Sequence, residues 1–249
     1  MVSALLKFQK IILVLLISSV TLHAQNAQDI IKKVDRNMRG KSVYMELVMS
    51  VKNQSYTRTM KLQSWSEGKN RSFVKITYPP RDKGITFLSL DGQMWQYIPK
   101  IERIIKIPPS MMLQSWMGSD ITNDDVVRES SLIDDYDATL LEENGDIATL
   151  QLIPKKTAAV VWGKIVLDVD TKTYTMKKET FYDETSQAVR YFTFKNVKKI
   201  DGYYLPTSWK VIPMDKKDSF TTLEIQNARY DQAISDEYFR QSALKRFSR

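Results

Sequence analysis

The sequence predicts a mainly β protein, an antiparallel sheet curled into a barrel or half-barrel, with a few short helices. Three observations carry this. Segments in which apolar and polar residues alternate follow one another about a dozen times from Val43 to Arg229. Most are joined by short turns containing Gly, Asn, Asp or Pro. No linker, low-complexity tract or internal repeat divides residues 25–249, so one domain is expected there. Many short strands with short connections lose their exposed edges by curling round on themselves.

The first element stands apart from that sheet. Lys7 and Lys10 form a basic region, Ile11 to Ile17 an apolar run, and Leu22-His23-Ala24 a cleavage site before Gln25. This is the layout of a secretory signal peptide over residues 1–24, and the run is short for a membrane span. An uncleaved anchor is the alternative. A helix is predicted over Ala27 to Met38, with Ile30, Ile31 and Val34 on its apolar side and Gly40 ending it. Val43 to Val51 then alternates Met45, Leu47, Met49 and Val51 against Tyr44, Glu46, Val48 and Ser50. Turns at Asn53-Gln54-Ser55 and Glu67-Gly68-Lys69-Asn70 set off strands over Tyr56 to Ser66 and Arg71 to Tyr78. Residues 79–84 (PPRDKG) make a rigid connection, and Asp91-Gly92 joins Ile85–Leu90 to Gln93–Ile98 as a hairpin.

Arg103 to Ile107 leads into a segment rich in methionine and tryptophan. With Ser110 as cap, Met112, Leu113, Trp116 and Met117 form one apolar stripe of a short helix, Pro108 and Pro109 before it and Gly118 after it. Such a greasy flap on a β protein suggests that something apolar is covered, and methionine adapts to irregular partners. Ordinary core packing explains the same stripe. Thr122-x-x-Asp125 starts another short helix. Seven further strands are predicted between Arg128 and Arg229, with Asp201-Gly202 turning into Tyr203 to Ile212, and Ser235 caps a last turn through Phe239.

Composition removes most enzyme chemistry. The single histidine, His23, lies in the segment expected to be cleaved, and there is no cysteine. The mature chain is therefore without Ser-His-Asp or Cys-His nucleophiles, the usual zinc ligand sets, disulfides and an acylated N-terminal cysteine. Paired carboxylates remain, Asp124 with Asp125 and Asp134 with Asp135, as a hydrolase would need. Helix capping explains the first pair more simply. Loss of Lys7 and Lys10 leaves 35 basic against 29 acidic residues, a formal charge of +6. The basic residues are scattered, so no nucleic-acid partner is expected.

One stretch is familiar. Asp91-Gly92-Gln93-Met94-Trp95-Gln96-Tyr97-Ile98-Pro99 resembles the DGxxxWxYxP hairpin of the LolA-like outer-membrane lipoprotein-sorting proteins. The Ile107 to Val127 segment, with Gly118-Ser119-Asp120 and Asp124-Asp125, resembles the flap of that group. Lys164 to Asp170, Tyr174, Lys178-Glu179, Tyr182-Asp183, Leu205-Pro206, Thr221-Thr222-Leu223, Asn227 and Asp236-Glu237-Tyr238-Phe239 follow in the same order. The resemblance spans roughly residues 28 to 245.

What it implies is a strongly curved, incomplete β-barrel with an apolar concave face under a helical lid. Proteins of this fold carry lipoprotein acyl chains or other lipids through the periplasm toward the outer membrane, without chemistry, metal or cofactor. A lipid-sensing envelope protein of the same fold is the alternative, and a carboxylate hydrolase is a further one. An inner-membrane exporter and an outer-membrane acceptor are the implied protein partners, and a monomer is expected. Typical carriers hold the lid with an arginine near the second strand pair. Here the matching turn, Lys69-Asn70-Arg71, has no Arg-Pro pair, which makes Arg71 the candidate lid contact. Candidate ligand-facing residues are Met45, Leu47, Met49, Phe87, Trp95 and Tyr97 on the strands and Met111, Met112, Leu113, Trp116 and Met117 on the lid. Met45, Leu47 and Met49 fit a plain core equally well. Trp95 and Tyr97 fit simple cross-strand packing. A one-residue error in strand parity reverses every inward assignment.

Overall fold

A computed structural model describes residues 27–128, 132–158 and 160–249. The expected signal peptide and its cleavage point lie outside these residues. Helix α1 (residues 27–39) buries Ile30, Ile31 and Val34 and ends at Gly40, as the periodicity predicts. The strands are β1 (Ser42–Lys52), β2 (Thr57–Glu67), β3 (Arg71–Tyr78), β4 (Thr86–Leu90), β5 (Gln93–Ile98) and β6 (Arg103–Ile107), then β7 (Tyr136–Asn144), β8 (Ile147–Pro154), β9 (Lys164–Asp170), β10 (Thr175–Tyr182), β11 (Ala188–Ile200), β12 (Tyr203–Pro213) and β13 (Phe220–Tyr230). They form one antiparallel sheet in the order β6-β5-β4-β3-β2-β1-β13-β12-β11-β10-β9-β8-β7. Each strand pairs with its sequence neighbour, except that β1 pairs with β13 and β6 does not reach β7. The result is an open, strongly curved half-barrel with β6 and β7 as its free edges.

Period-two alternation sorts side chains to two faces. On β1, Val43, Met45, Leu47, Met49 and Val51 are all buried on the concave side. Leu62, Val74, Phe87, Phe192, Phe194, Trp209, Leu223 and Ile225 extend that surface across the sheet, and α1 lies against it. Helices α2 (Asn123–Arg128) and α3 (Leu132–Asp135) stand between β6 and β7 in the chain. On the convex side Phe73, Leu88 and Tyr97 are covered by α4 (Gln241–Arg246), whose Ala243 and Leu244 are fully buried. Gly84 makes this docking possible: it holds φ +87°, and a Cβ there would stand 2.4 Å from the Ser248 carbonyl oxygen. Helix α4 is absent from the sequence reading, which stops at Phe239.

Three expectations need correction. Asp91 and Gly92 have φ of 50° and 74°, the tight turn that their sequence favours. That turn pairs Leu88 with Trp95, Phe87 with Gln96 and Ser89 with Met94. Directly opposed residues share a face, so Trp95 and Tyr97 point to the convex side, away from Phe87. The second correction concerns the flap. Residues 110–117 form no α-helix; two short 3-10 helices, Pro109–Met111 and Trp116–Gly118, flank an irregular link, with Met117 at φ 53°. Ser110 caps nothing. The stripe is consequently broken: Trp116 is 4% exposed, Met112 and Met117 are half-buried, and Met111 and Leu113 are 36% and 54% exposed. Third, Arg71 does not contact the flap among the described residues. Its guanidinium bonds Glu67 and Asp236 and lies 5.0 Å over the Phe239 ring.

Candidate functional site

The concave face encloses a cavity of about 260 Å³. Met45 and Leu47 line it from β1, Leu62 and Val74 from β2 and β3, and Phe192, Phe194, Trp209 and Leu223 from the far side. Ile31, Val34 and Met38 of α1 close one end. Met49 and Phe87 are buried in the same core without lining the space. Of the lid candidates only Trp116 borders it. Its companions there are Ile121 and, on α2 (Asn123–Arg128), Val126 and Val127, which lie outside the apolar stripe expected at residues 112–117. Two carboxylates in the wall, Asp124 and Glu179, are also buried.

The flap (residues 108–128) is a self-bonded loop. The Trp116 backbone N–H donates to the Ile121 carbonyl at 2.7 Å, the Asn123 backbone N–H to the Gln114 carbonyl at 3.0 Å and the Asp124 backbone N–H to the Met112 carbonyl at 2.8 Å. Thr122 and Asp125 exchange side-chain caps at the start of α2: Thr122 N–H donates to Asp125 Oδ2 at 2.7 Å, and Asp125 N–H to Thr122 Oγ1 at 3.2 Å. Such internal pairing satisfies backbone groups that the sheet does not serve.

Few polar contacts fasten this loop to the sheet. Arg190 on β11 clamps the Asp125 carboxylate with both terminal nitrogens and donates to the Asp120 carbonyl at 3.1 Å. The same guanidinium lies over the rings of Trp162, Phe181 and Phe192, at 4.6, 4.7 and 5.3 Å. Arg58 on β2 donates to the Met117 carbonyl at 3.1 Å and to Asp82 Oδ2 at 2.7 Å. Thr221 Oγ1 on β13 donates to Asp120 Oδ2 at 2.8 Å and is within 3.0 Å of the Asp120 N–H. A fork-shaped guanidinium suits this two-point grip on a carboxylate.

Both arginines were legible by parity. Arg190 alternates with Phe192 and Phe194, and Arg58 with Met60 and Leu62, so each is a cation placed on a buried face. One member of each acidic pair is held in an ion pair: Asp125 with Arg190, and Asp134, which accepts from Lys69 Nζ at 3.0 Å.

A family model described as that of an uncharacterized protein matches residues 68–246. No curated protein matches the chain. Among solved structures, a DUF1329 family protein from Desulfovibrio piger is 27% identical, with a TM-score of 0.81 over 89% of this chain and 99% of that one. A putative outer membrane lipoprotein-sorting protein domain from Vibrio parahaemolyticus is 21% identical, with a TM-score of 0.76 over 89% and 99%. A LolA superfamily protein from Nitrosomonas europaea is 20% identical, with a TM-score of 0.73 over 87% and 98%.

Proposed function

Taking as premise that this chain belongs to the LolA-like family, we propose that it is a periplasmic lipid carrier. It takes acyl chains of lipoproteins or of other lipids into the concave trough and moves them toward the outer membrane, without chemistry. Residues 1–24 direct export and residues 25–249 are the carrier domain. Met45, Leu47 and Trp116 meet the ligand, joined by Ile121, Val126, Val127, Trp162 and Trp209. A donor complex in the inner membrane and an acceptor at the outer membrane are its partners.

The observation that carries this reading is a hollow, largely apolar trough under a cover with few attachments. Each acyl methylene gains about 0.8 kcal/mol on leaving water, so an apolar trough supplies the binding energy. Non-directional contact lets chains of different shape share it. The cavity of about 260 Å³ falls below the usual ~300–1,000 Å³ of small-molecule sites. Lipids with several chains therefore require the flap to swing outward, which breaks the Arg58, Arg190 and Thr221 contacts and opens the trough along its length.

The test is direct. The protein is expressed with its leader in a bacterial periplasm, purified without detergent, and extracted with organic solvent for mass spectrometry. Phospholipid or acylated peptide at near-stoichiometric amounts is expected. A protein that emerges empty, and that stays empty after incubation with phospholipid vesicles, is no carrier.

A further inference from the structure

The concave face is not uniformly greasy. On β2, β3 and β4 its side chains change from Leu62, Val74 and Phe87 to serines: Ser64 and Ser66, then Ser72, then Ser89. Register places Ser66 directly across from Ser72, and Ser72 directly across from Ser89. Opposed residues hold their Cβ atoms roughly 5 Å apart, so three hydroxyls form one row across three strands. All four serines border the cavity, and Ser89 is only 5% exposed.

None of these hydroxyls makes a hydrogen bond among the described residues. Other hydroxyls on the sheet do: Ser50 with Thr59 at 3.1 Å, Thr86 with the Leu244 carbonyl at 2.6 Å, Thr207 with the Asn196 carbonyl at 2.8 Å, and Ser208 with Glu224 at 2.6 Å. A second observation stands nearby. Trp116 packs on Phe87 with ring centroids 5.2 Å apart, and Phe87 lies two residues from Ser89 on the same face. The Trp116 indole N–H is buried without a hydrogen-bond partner among the described residues. Buried polar groups left unpaired are rare in proteins.

We propose that this serine row, with the Trp116 N–H, is the seat of the polar linkage of the bound lipid: the uncharged ester or amide carbonyls that join acyl chains to the head. This rests on the carrier reading above. The indole N–H only donates, and serine hydroxyls donate or accept, so together they suit oxygen acceptors. Formal charge is not what they select. The cations near this end are already engaged with acids: Arg39 with Asp35, Arg71 with Glu67 and Asp236, and Lys69 with Asp134. Chains then extend from the row toward Leu47, Leu62 and Leu223, and the head lies toward the turn at Gly68–Arg71.

The experiment uses the processed protein and a triple variant, Ser66→Ala with Ser72→Ala and Ser89→Ala, which keeps side-chain size nearly constant. Dioleoylglycerol, dioleoylphosphatidylglycerol and the hydrocarbon 1-octadecene each displace a fluorescent apolar probe, N-phenylnaphthylamine. In the triple variant both glycerolipids are expected to bind about tenfold more weakly, from the lost hydrogen bonds, while octadecene changes less than about twofold. Trp116→Phe should weaken the glycerolipids about threefold on the same basis, again sparing octadecene. Unchanged glycerolipid binding in both variants overturns the serine row and leaves the carrier reading intact. An equal loss for hydrocarbon and glycerolipid also overturns it, because the serines would then act through shape. If the unaltered protein takes up none of the three lipids, the carrier reading fails and the serine row falls with it.

Discussion

Strands β2 to β5 carry two faces of opposite character. On the convex face Trp65, Phe73, Tyr238 and Phe247 stack ring against ring, with centroids 4.4 to 6.0 Å apart, and Leu88 and Leu244 fill between them. At its margin burial, with the Glu46 carboxylate alongside, pushes the Tyr44 hydroxyl up to about 12. On the concave face Leu62, Ser64 and Val74 look into space that no side chain fills. Both faces are covered, but the concave one keeps a hollow of about 260 Å³ within its packing. A cover that interdigitates with its sheet behaves as structure. The flap over the hollow is held by contacts that include Arg58, Arg190, Thr221 and Lys216, and these are expected to release before the sheet beneath unfolds.

The largest effect should come from the packed side. Phe73 is fully buried against the rings of Trp65, Tyr238 and Phe247. Phe73→Ala should cost about 3–5 kcal/mol of global stability, read from the urea midpoint, while the protein that remains folded still binds lipid. A cost below about 1 kcal/mol would erase the contrast between the faces.

The hollow side should answer locally. Arg190→Gln removes a charge-assisted grip worth about 2 kcal/mol, near thirtyfold in an opening equilibrium. Amide exchange at Trp116, Asn123 and Asp124 should accelerate by that factor, and exchange in β1 and β13 should not change. Equal acceleration throughout the sheet would show that the flap does not open by itself.

Adding volume sharpens the comparison further. Ala243→Trp overpacks the convex cluster and should cost about 1–3 kcal/mol without touching lipid affinity. Leu223→Trp places new volume in the trough, where room exists. Stability should hold within about 1 kcal/mol, and lipid binding should fall at least about tenfold. The reverse pattern would exchange the roles of the two faces.

The smallest effect concerns pH, away from both faces. Tyr203 donates to the Asp231 carboxylate at 2.7 Å, and so does the Lys41 N–H, also at 2.7 Å. These bonds, the tyrosine's foremost, hold Asp231 below the usual carboxylate range. A lowered folded value stabilises the protein above the unfolded value, near about pH 4, and that increment disappears as pH falls through the folded value. Asp231→Asn should therefore lower the urea midpoint slightly at pH 7 and leave it unchanged near about pH 2. An equal deficit at both pH values would assign the effect to lost geometry instead of charge.

How much of this was legible depended on the range of the interactions involved. The strands and their turns were readable because alternation and turn chemistry are local: Arg71–Tyr78 and Gln93–Ile98 coincide with β3 and β5. The errors on Trp95 and Tyr97 were avoidable. A two-residue turn at Asp91-Gly92 already fixes Phe87 opposite Gln96, so Phe87 and Trp95 cannot share a face. The flap was not readable in the same way. Helical spacing at Met112, Leu113, Trp116 and Met117 lost to hydrogen bonds that reach back from Ile121, Asn123 and Asp124, partners that no local pattern announces. The serine row was visible only as residue types, and became a row once three strands were in register.

The five tryptophans divide between the faces: Trp116, Trp162 and Trp209 border the trough, and Trp65 and Trp95 belong to the convex cluster. Single-tryptophan variants, loaded with phospholipid brominated along its acyl chains and freed of vesicles, report which rings the chains touch. Strong quenching at Trp116, Trp162 and Trp209, with Trp65 and Trp95 unaffected, is the result expected of a hollow that houses acyl chains. Quenching of the convex pair as deep as that of the trough three, or none at any of the five, would contradict it.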